Sequence, residues 1–300
     1  MPSILSLKNI SKTYGRIKAL KEVSFDVPEG SVFGILGPNG SGKTTLLGIV
    51  MNVLLANRGS YSWFGNPPSE KQRKDIGTLL ETPNFYHYLS ARHNLEISAA
   101  IKNKPFEDIE RVLKIVRLYE RKDSKFQTFS LGMKQRLAIA ACLLGNPSVL
   151  VFDEPTNGLD PSGIAEIRQL IIELARDGKT IIMASHLLAE VEKVCTHVAI
   201  LQQGVLIKSG EVGSALSQEE WLEVGSNEME KLKGVLKQLP GLKNIINSEN
   251  HFQVYFNQPL PDSAWLNQHC FEAGIVLNFI RSGKKSLESA FIELTHNVSN

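Results

Sequence analysis

The run Gly37-Pro38-Asn39-Gly40-Ser41-Gly42-Lys43-Thr44 has the spacing G-x-x-x-x-G-K-[ST]. It stands between an apolar stretch, "SVFGIL", and the helix-forming "TTLLGIVMNVLL". Glycines let such a loop curl so that successive N–H groups face inward and hold phosphate oxygens. In that chemistry Lys43 reaches the β- and γ-phosphates. Thr44 sets its hydroxyl on Mg²⁺, and Thr45 extends the donors of the helix N-terminus. The competing reading is a glycine turn with no ligand, but a strand before it and a helix after it favour phosphate.

A second constellation, "VLVFDEP" (149–155), carries two acids at the exposed end of an apolar strand. Asp153 is placed to hold Mg²⁺ directly or through water, and Glu154 to polarise an attacking water as general base. Two adjacent acids after a strand often only cap the next segment; beside a phosphate loop they read as its complement. A third stretch, "TFSLGMKQRLAIA" (128–140), sets Ser130 and Gly132 ahead of a helix that starts basic (Lys134, Arg136) and turns apolar. The unpaired N–H groups of a helix N-terminus attract anions. One chain therefore carries two phosphate-type sites far apart in sequence.

The elements that position these residues alternate. "ILSLKNI", "VSFDVP" and "SVFGILG" read as strands divided by Gly15, Pro28 and Gly30; "SYSWFG" and "IGTLL" read as two more. From about 88 to 146 the pattern turns helical, with Ile109, Val112, Leu113 and Val116 at helical spacing in "EDIERVLKIVRLYE" and a stop at Gly145-Asn146-Pro147. "SVLVF", "TIIMAS" and the helices "GIAEIRQLIIELARDG" and "LLAEVEKVC" then alternate, and "HVAILQQGVLIKSG" reads as a hairpin over Gln203-Gly204. Near-continuous apolar strands between helices imply an α/β core with a mostly parallel sheet. Composition changes near 213–219. Beyond it, strands at 221–224, 242–247, 252–256 and 275–281 and helices at 227–239, 262–273 and 287–295 predict a small α+β unit of β-α-β-β-α-β order, ferredoxin-like.

The chain has 300 residues, 42% hydrophobic and 21% charged, with a formal net charge of +2. Such values describe a globular chain of one large or two ordinary domains, without the basic field of a nucleic-acid binder. The three cysteines, Cys142, Cys195 and Cys270, have no metal or redox spacing and read as buried thiols of a reducing compartment. No basic-then-apolar leader opens the sequence, and no apolar run nears the roughly 18 residues of a membrane span. The expectation is a cytosolic chain, with any membrane crossing left to another chain.

Through residues 1–215 these motifs, in this order, resemble the ATP-binding-cassette ATPases. The resemblance implies a P-loop NTPase (RecA-like) core with N-terminal antiparallel strands and a helical subdomain, followed by the accessory unit at 216–300. ATP and Mg²⁺ are then the ligands: Gly37, Pro38, Asn39, Gly40, Ser41, Gly42, Lys43, Thr44 and Thr45 hold the phosphates, and Tyr14 of "SKTYG" stacks on adenine. His186, after "TIIMAS", matches the switch histidine that senses the γ-phosphate, and counts with Glu154 and Lys43 among the catalytic residues. Asp160 of "NGLD" communicates between nucleotide sites. The resemblance also accounts for the second anion site. In a head-to-tail dimer, Ser130 and Gly132 of one subunit bind the ATP held by Lys43 of the other, while Met133, Leu137, Ala141 and Leu144 rest their helix in the protein.

Two positions depart from the family pattern. The signature usually reads leucine-serine-glycine-glycine-glutamine and here is Phe129-Ser130-Leu131-Gly132-Met133. Glu81 stands where most members have a glutamine that touches Mg²⁺. Glu81 with the following "PNFYHYLS", together with "SLGMKQR", resembles the branch that exports peptide antibiotics such as bacitracin and lantibiotics. Phe85, Tyr86 and Tyr88 then belong either to the core or to a groove for the membrane subunit. The resemblance implies a motor subunit peripheral on the inner face of the membrane, partnered by integral permease subunits and a second nucleotide-binding subunit, with no nucleic acid. Rival readings are a soluble cassette serving ribosomes or DNA, which would usually carry two cassettes or a long coiled coil, and a small P-loop kinase.

Overall fold

The computed structural model describes residues 2–80, 84–212, 220–248, 250–257 and 260–284. The chain divides into two compact units, Met1–Ala215 and Leu216–Asn300.

The first unit opens with a long hairpin, β1 (Ser3–Tyr14) and β2 (Ile17–Pro28), turning at Gly15, and β4 (Arg58–Trp63) pairs with the other side of β1. The three make an antiparallel sheet of order β2-β1-β4. The second sheet has the order β5-β6-β7-β3-β8-β9. In it β3 (Val32–Leu36), β5 (Ile76–Leu79), β6 (Val149–Asp153), β7 (Thr180–Ser185) and β8 (His197–Gln202) are parallel, and β9 (Val205–Glu211) returns antiparallel to β8. Every residue of β3, β6 and β7 is buried. Their unbroken apolar sequences reflect that both faces are covered, as in parallel sheets generally. The β8–β9 turn is Gln203-Gly204, at φ 48° and 79°. Two positive φ values mark the turn whose twist suits a two-residue hairpin.

α1 (Lys43–Val50) follows β3. It is shorter than "TTLLGIVMNVLL" predicts. Asn52 turns to φ 58°, and the N–H groups of Val53 and Leu54 both fold back onto the Gly48 carbonyl. Trp63, fully buried, donates its indole N–H to the Val50 carbonyl at 2.9 Å and so closes the helix end. The short α2 (Glu70–Arg73) begins with a capping box, Ser69 and Gln72 bonding each other's backbone.

The helical stretch holds α3 (Ala91–Lys102), α4 (Asp108–Ile115) and α5 (Leu131–Leu143). α4 ends before the predicted "VRLYE" because Arg117 adopts φ 57°. The expected packing of α5 is corrected. Leu137 and Leu144 are buried, but Met133 and Ala141 are only partly so, and Ala138, Ile139, Ala140, Cys142 and Leu143 are buried with them. α5 is enclosed nearly all round, so a single apolar stripe misdescribes it. Cations from its neighbours take its last carbonyls: Lys102 Nζ reaches Ala141 O at 2.7 Å, and Arg111 reaches Leu143 O at 3.0 Å. Such pairing satisfies C-terminal carbonyls that no intrahelical N–H can reach. α6 (Pro161–Arg176) starts at an Asp160 cap, and α7 (Leu188–Val194) leads into β8.

The second unit runs β10 (Glu220–Ser226), α8 (Met229–Leu236), β11 (Leu242–Ser248), β12 (His251–Phe256), α9 (Ser263–Glu272) and β13 (Leu277–Lys284). Its sheet has the order β11-β12-β10-β13 with every neighbour antiparallel. Leu222, Val224, Leu232, Leu236, Val254, Leu266 and Cys270 fill its core. The helix predicted at 287–295 lies outside the described residues.

Candidate functional site

The C-terminal ends of β3, β6 and β7 open on one side of the first unit, the edge at which parallel α/β sheets collect ligands. After β3 the chain enters the glycine loop, and Gly42 (φ 106°) caps α1 with no side chain to accept its first N–H groups. Those donors point into the cleft, as the phosphate reading requires. A Cβ on Gly42 would stand 2.6 Å from the Ala19 carbonyl oxygen, whereas one on Gly40 would meet nothing within 4 Å. Gly40 is thus open to a ligand, whereas Gly42 is pressed against the protein.

Lys43 is 6% exposed, and its ammonium donates to the Gly37 carbonyl at 2.8 Å and the Pro38 carbonyl at 3.3 Å. Its Nζ also lies 3.4 Å from Glu154 Oε1. The other oxygen of Glu154 is 2.9 Å from His186 Nδ1. Facing a carboxylate, that ring nitrogen is the protonated one. Glu154 has φ 49°, a conformation a non-glycine residue adopts only when its surroundings hold it, and here its N–H donates to Ala184 O at 3.0 Å. The strain aims the carboxylate from the end of β6 across β7 toward the loop.

A cleft of about 560 Å³ is lined by Lys43 and Glu154, and His186, outside its lining, bonds to Glu154. Asn39, Gly40, Gly42, Lys43, Thr44, Thr45 and Glu154 line it with Tyr14, which comes from the antiparallel sheet. Tyr14 is 45% exposed, with Lys12 Nζ over its ring at 5.1 Å. Ile17, Lys18, Ala19, Lys21 and Gln203 also line the cleft and were not foreseen. No motif marks them; they arrive because β2 and the β8–β9 turn border the loop.

Ser130, Gly132 and Asp160 lie elsewhere: none lines that cleft. Ser130 caps α5, its hydroxyl accepting from Met133 N–H at 3.3 Å. Asp160 caps α6, accepting from Gly163 N–H at 3.0 Å and from the Ser162 hydroxyl at 2.9 Å. Those two bonds, the Gly163 N–H foremost, hold the Asp160 carboxyl below the ordinary carboxylate range. The two helix starts adjoin. A Cβ on Gly132 would stand 3.9 Å from Gly163 Cα, and one on Gly158 would touch Leu131 Cδ2 at 3.4 Å. Leu131, in the position of a signature glycine, points outward at 48% exposure. The aromatic group after residue 83 divides. Phe85 packs edge-on against the buried Phe126, while Tyr86 and Tyr88 form an exposed pair. Glu81 lies outside the described residues.

The donor set fits a nucleotide with Mg²⁺. Ser41 Oγ is buried without a hydrogen-bond partner in the loop itself. Thr44 offers an exposed hydroxyl and the buried Asp153 a carboxylate, both hard oxygen donors. Among the described residues no three His, Cys, Asp or Glu side chains form a metal cluster.

Fold and cleft together define a mononucleotide-binding α/β protein of the phosphate-loop class. A family model for ABC transporters matches residues 20–157. The bacitracin transport ATP-binding protein BcrA of Bacillus licheniformis is 34% identical over 305 residues, 98% of this chain and 98% of that one. The lantibiotic transport ATP-binding protein SrtF of Streptococcus pyogenes is 36% identical over 217 residues, 72% of this chain and 95% of that one. Among solved structures, the dimeric post-hydrolysis ATP-binding cassette MJ0796 bound to ADP and Pi superposes with a TM-score of 0.62. It is 28% identical, over 69% of this chain and 98% of that one. The chain belongs to the ABC transporter family, as one of its ATP-binding subunits. Such cassettes hydrolyse ATP to drive transport, which sets aside the kinase reading. The branch resembled by "SLGMKQR" and the residues after Glu81 is the branch these two relatives represent.

Proposed function

We propose that this chain works as a head-to-tail pair, that each ATP is shared between the cleft of one copy and the α5 start of the other, and that the pair drives an exporter of peptide antibiotics. The observation that carries the reading is the division of the phosphate-binding elements. Tyr14, the glycine loop, Glu154 and His186 stand together, while Ser130, Gly132 and Asp160 stand apart from that cleft at two adjoining helix starts. A second copy supplies what one copy's cleft lacks. The dimeric state of MJ0796 supports the pairing, and the names of BcrA and SrtF support the cargo.

In this reading Lys43 and the first N–H groups of α1 bind the β- and γ-phosphates, and Tyr14 stacks on the base. Thr44 and Asp153, with Glu81, would hold Mg²⁺, which when bound offsets charge on the phosphates. Glu154 orients the attacking water and accepts its proton, and His186 fixes the Glu154 carboxylate and meets the γ-phosphate. Ser130 and Gly132 of the second copy close on the same phosphate. Among the described residues no helix is long and apolar enough to cross a membrane. That supports separate permease subunits, with this chain peripheral on the inner face.

The cassette is read as residues 1–215 and the remainder as a ferredoxin-like accessory domain. The antiparallel order β11-β12-β10-β13 with two crossing helices supports the second assignment. The test of the pairing is Glu154→Gln with ATP: hydrolysis nearly stops and the protein elutes from gel filtration as an ATP-bound dimer. A monomer at every ATP concentration, with ATP bound, counts against the shared site.

A further inference from the structure

The Gln203-Gly204 turn, which the sequence presents as an ordinary hairpin, is built into the phosphate loop. The Gly204 N–H donates to the Ser41 carbonyl at 3.1 Å, and the Gly204 carbonyl accepts from the Lys21 N–H at 2.7 Å. Gly204 has φ +79°, and a Cβ there would stand 2.6 Å from the Ala19 oxygen and 3.2 Å from Leu20 Cα. The same Ala19 oxygen is what a Cβ on Gly42 would meet, also at 2.6 Å. At the start of the loop, Gly37 abuts the carbonyl oxygen of Leu201.

Three backbone segments therefore close on one another: the loop at 37–42, β2 at 19–21, and the hairpin at 201–204. Two of the three contacts involve a loop glycine and the third is Gly204 itself. The segments belong to different sheets. β2 lies in the antiparallel sheet, hairpin-paired with the strand that ends at Tyr14, and the loop and the β8–β9 turn belong to the parallel one. Residues of both sheets line the one cleft, Gln203 among them.

We propose that Gly204 is a positioning residue for ATP, its peptide unit locking the phosphate loop to the strand pair that carries Tyr14. It touches no reacting atom and acts through Ser41 and Lys21. Its lock sets the span between the phosphate end and the base end of the cleft. Only glycine fits without displacement, because a Cβ would stand 2.6 Å from the Ala19 oxygen, and the left-handed backbone adds a further preference for it. The inference rests on the cleft being the ATP site.

The consequence is specific. Loosening the lock weakens a ligand that must reach both ends of the cleft more than one that occupies the phosphate end alone. ATP is the first kind of ligand and inorganic tripolyphosphate the second. The variant is Gly204→Asn and its control Gly178→Asn. Asparagine tolerates a positive φ at either site, and Gly178, at φ +84°, has nothing within 4 Å of a Cβ. Binding of both ligands to the full chain is measured by calorimetry with Mg²⁺. Thermal melting without ligand confirms the fold.

The expected result is an ATP Kd raised about tenfold or more in Gly204→Asn, since small misplacements at such sites are costly. Tripolyphosphate binding falls less, and Gly178→Asn behaves as the natural protein does. Unchanged ATP affinity in folded Gly204→Asn, or equal losses for both ligands, overturns the proposal. Should Gly204→Asn not fold, hydrogen exchange on the natural protein decides. The Gly204 and Lys21 amides gain protection when a non-hydrolysable ATP analogue saturates the cleft, and exchange indifferent to the analogue overturns the proposal. If the natural protein binds no ATP, or Lys43→Ala binds it equally well, the assignment of the cleft fails, and this proposal with it.

Discussion

Lys43 and Glu154 meet across the cleft with Nζ 3.4 Å from Oε1, and the same carboxylate is tied to His186 at 2.9 Å. The pair joins the first residue of α1 to the residue just past β6, so the phosphate loop and the end of a strand two places away in the sheet become one unit. An ammonium with three donors serves two loop carbonyls and this carboxylate at once. An incoming γ-phosphate competes with Glu154 for the third donor. The carboxylate that guards the lysine is therefore the one a phosphate would release toward water.

Replacing Lys43 by Ala removes the cation and both of its bonds to the loop carbonyls. Nucleotide binding should be lost, with Kd rising at least about a hundredfold, because charge-assisted bonds to phosphate are among the strong ones. Equilibrium binding of a fluorescent ATP analogue measures it. An unchanged Kd would mean that the loop holds no phosphate.

His186→Ala should separate binding from turnover. The imidazole touches the Glu154 carboxylate, whereas Lys43 and the α1 N-terminus do not depend on it. ATP affinity should stay within about twofold, while the hydrolysis rate falls on the order of a hundredfold, the range for a group that supports a general base. Phosphate release in single-turnover mode reads this directly. A fall in affinity with unchanged turnover would place the histidine outside the chemistry.

Acid stability should depend on Asp108. Burial pushes its carboxyl up, but the Arg111 hydrogen bond, the Gly145 N–H and the charges of Arg111 and Lys104 outweigh that and leave it below its ordinary value. A carboxyl lowered by folding stabilises above its unfolded pKa, about 4, and loses that contribution as pH falls through the lower folded value. Asp108→Asn should therefore cost about 1–3 kcal/mol at pH 7 and leave less stability to lose on acidification. Urea titrations from pH 7 down to about 3 test this; parallel curves for the two proteins would exclude the linkage.

Trp63→Phe removes the indole N–H that closes α1 on the Val50 carbonyl, inside a fully buried site. The carbonyl loses its partner and a void opens beside it. Chemical denaturation should show a loss of about 2–4 kcal/mol. A change below about 0.5 kcal/mol would show that the helix end is satisfied some other way.

Much of this was legible without coordinates. The glycine loop, the acids at 153–154, Ser130 and Asp160 all sit at element ends marked by their own residue types, and the apolar runs "SVFGIL", "VLVF" and "TIIMAS" gave away buried parallel strands. Turn chemistry placed the hairpin at Gln203-Gly204. These signals are local, and local chemistry is what a single sequence encodes openly. The departures from it have tertiary causes. α1 stops early because Asn52 turns left-handed and Trp63, distant in sequence, takes the last carbonyl. α5 is buried almost all round because β5, α3, α4 and α6 pack against it, and α3 and α4 supply cations to its last carbonyls.

What only the tertiary structure decided is which of these ends meet. Lys18, Ala19 and Gln203 carry no motif, yet they share a cleft with Tyr14 and the loop because two sheets abut there. The contact of Glu154 with both Lys43 and His186 depends on strand order, on a strained φ, and on a carbonyl of the neighbouring strand that holds it. Residue types and spacings specify what each segment can do. Distances between segments follow from packing, which sums contacts over the whole chain and leaves no mark on any one stretch of it.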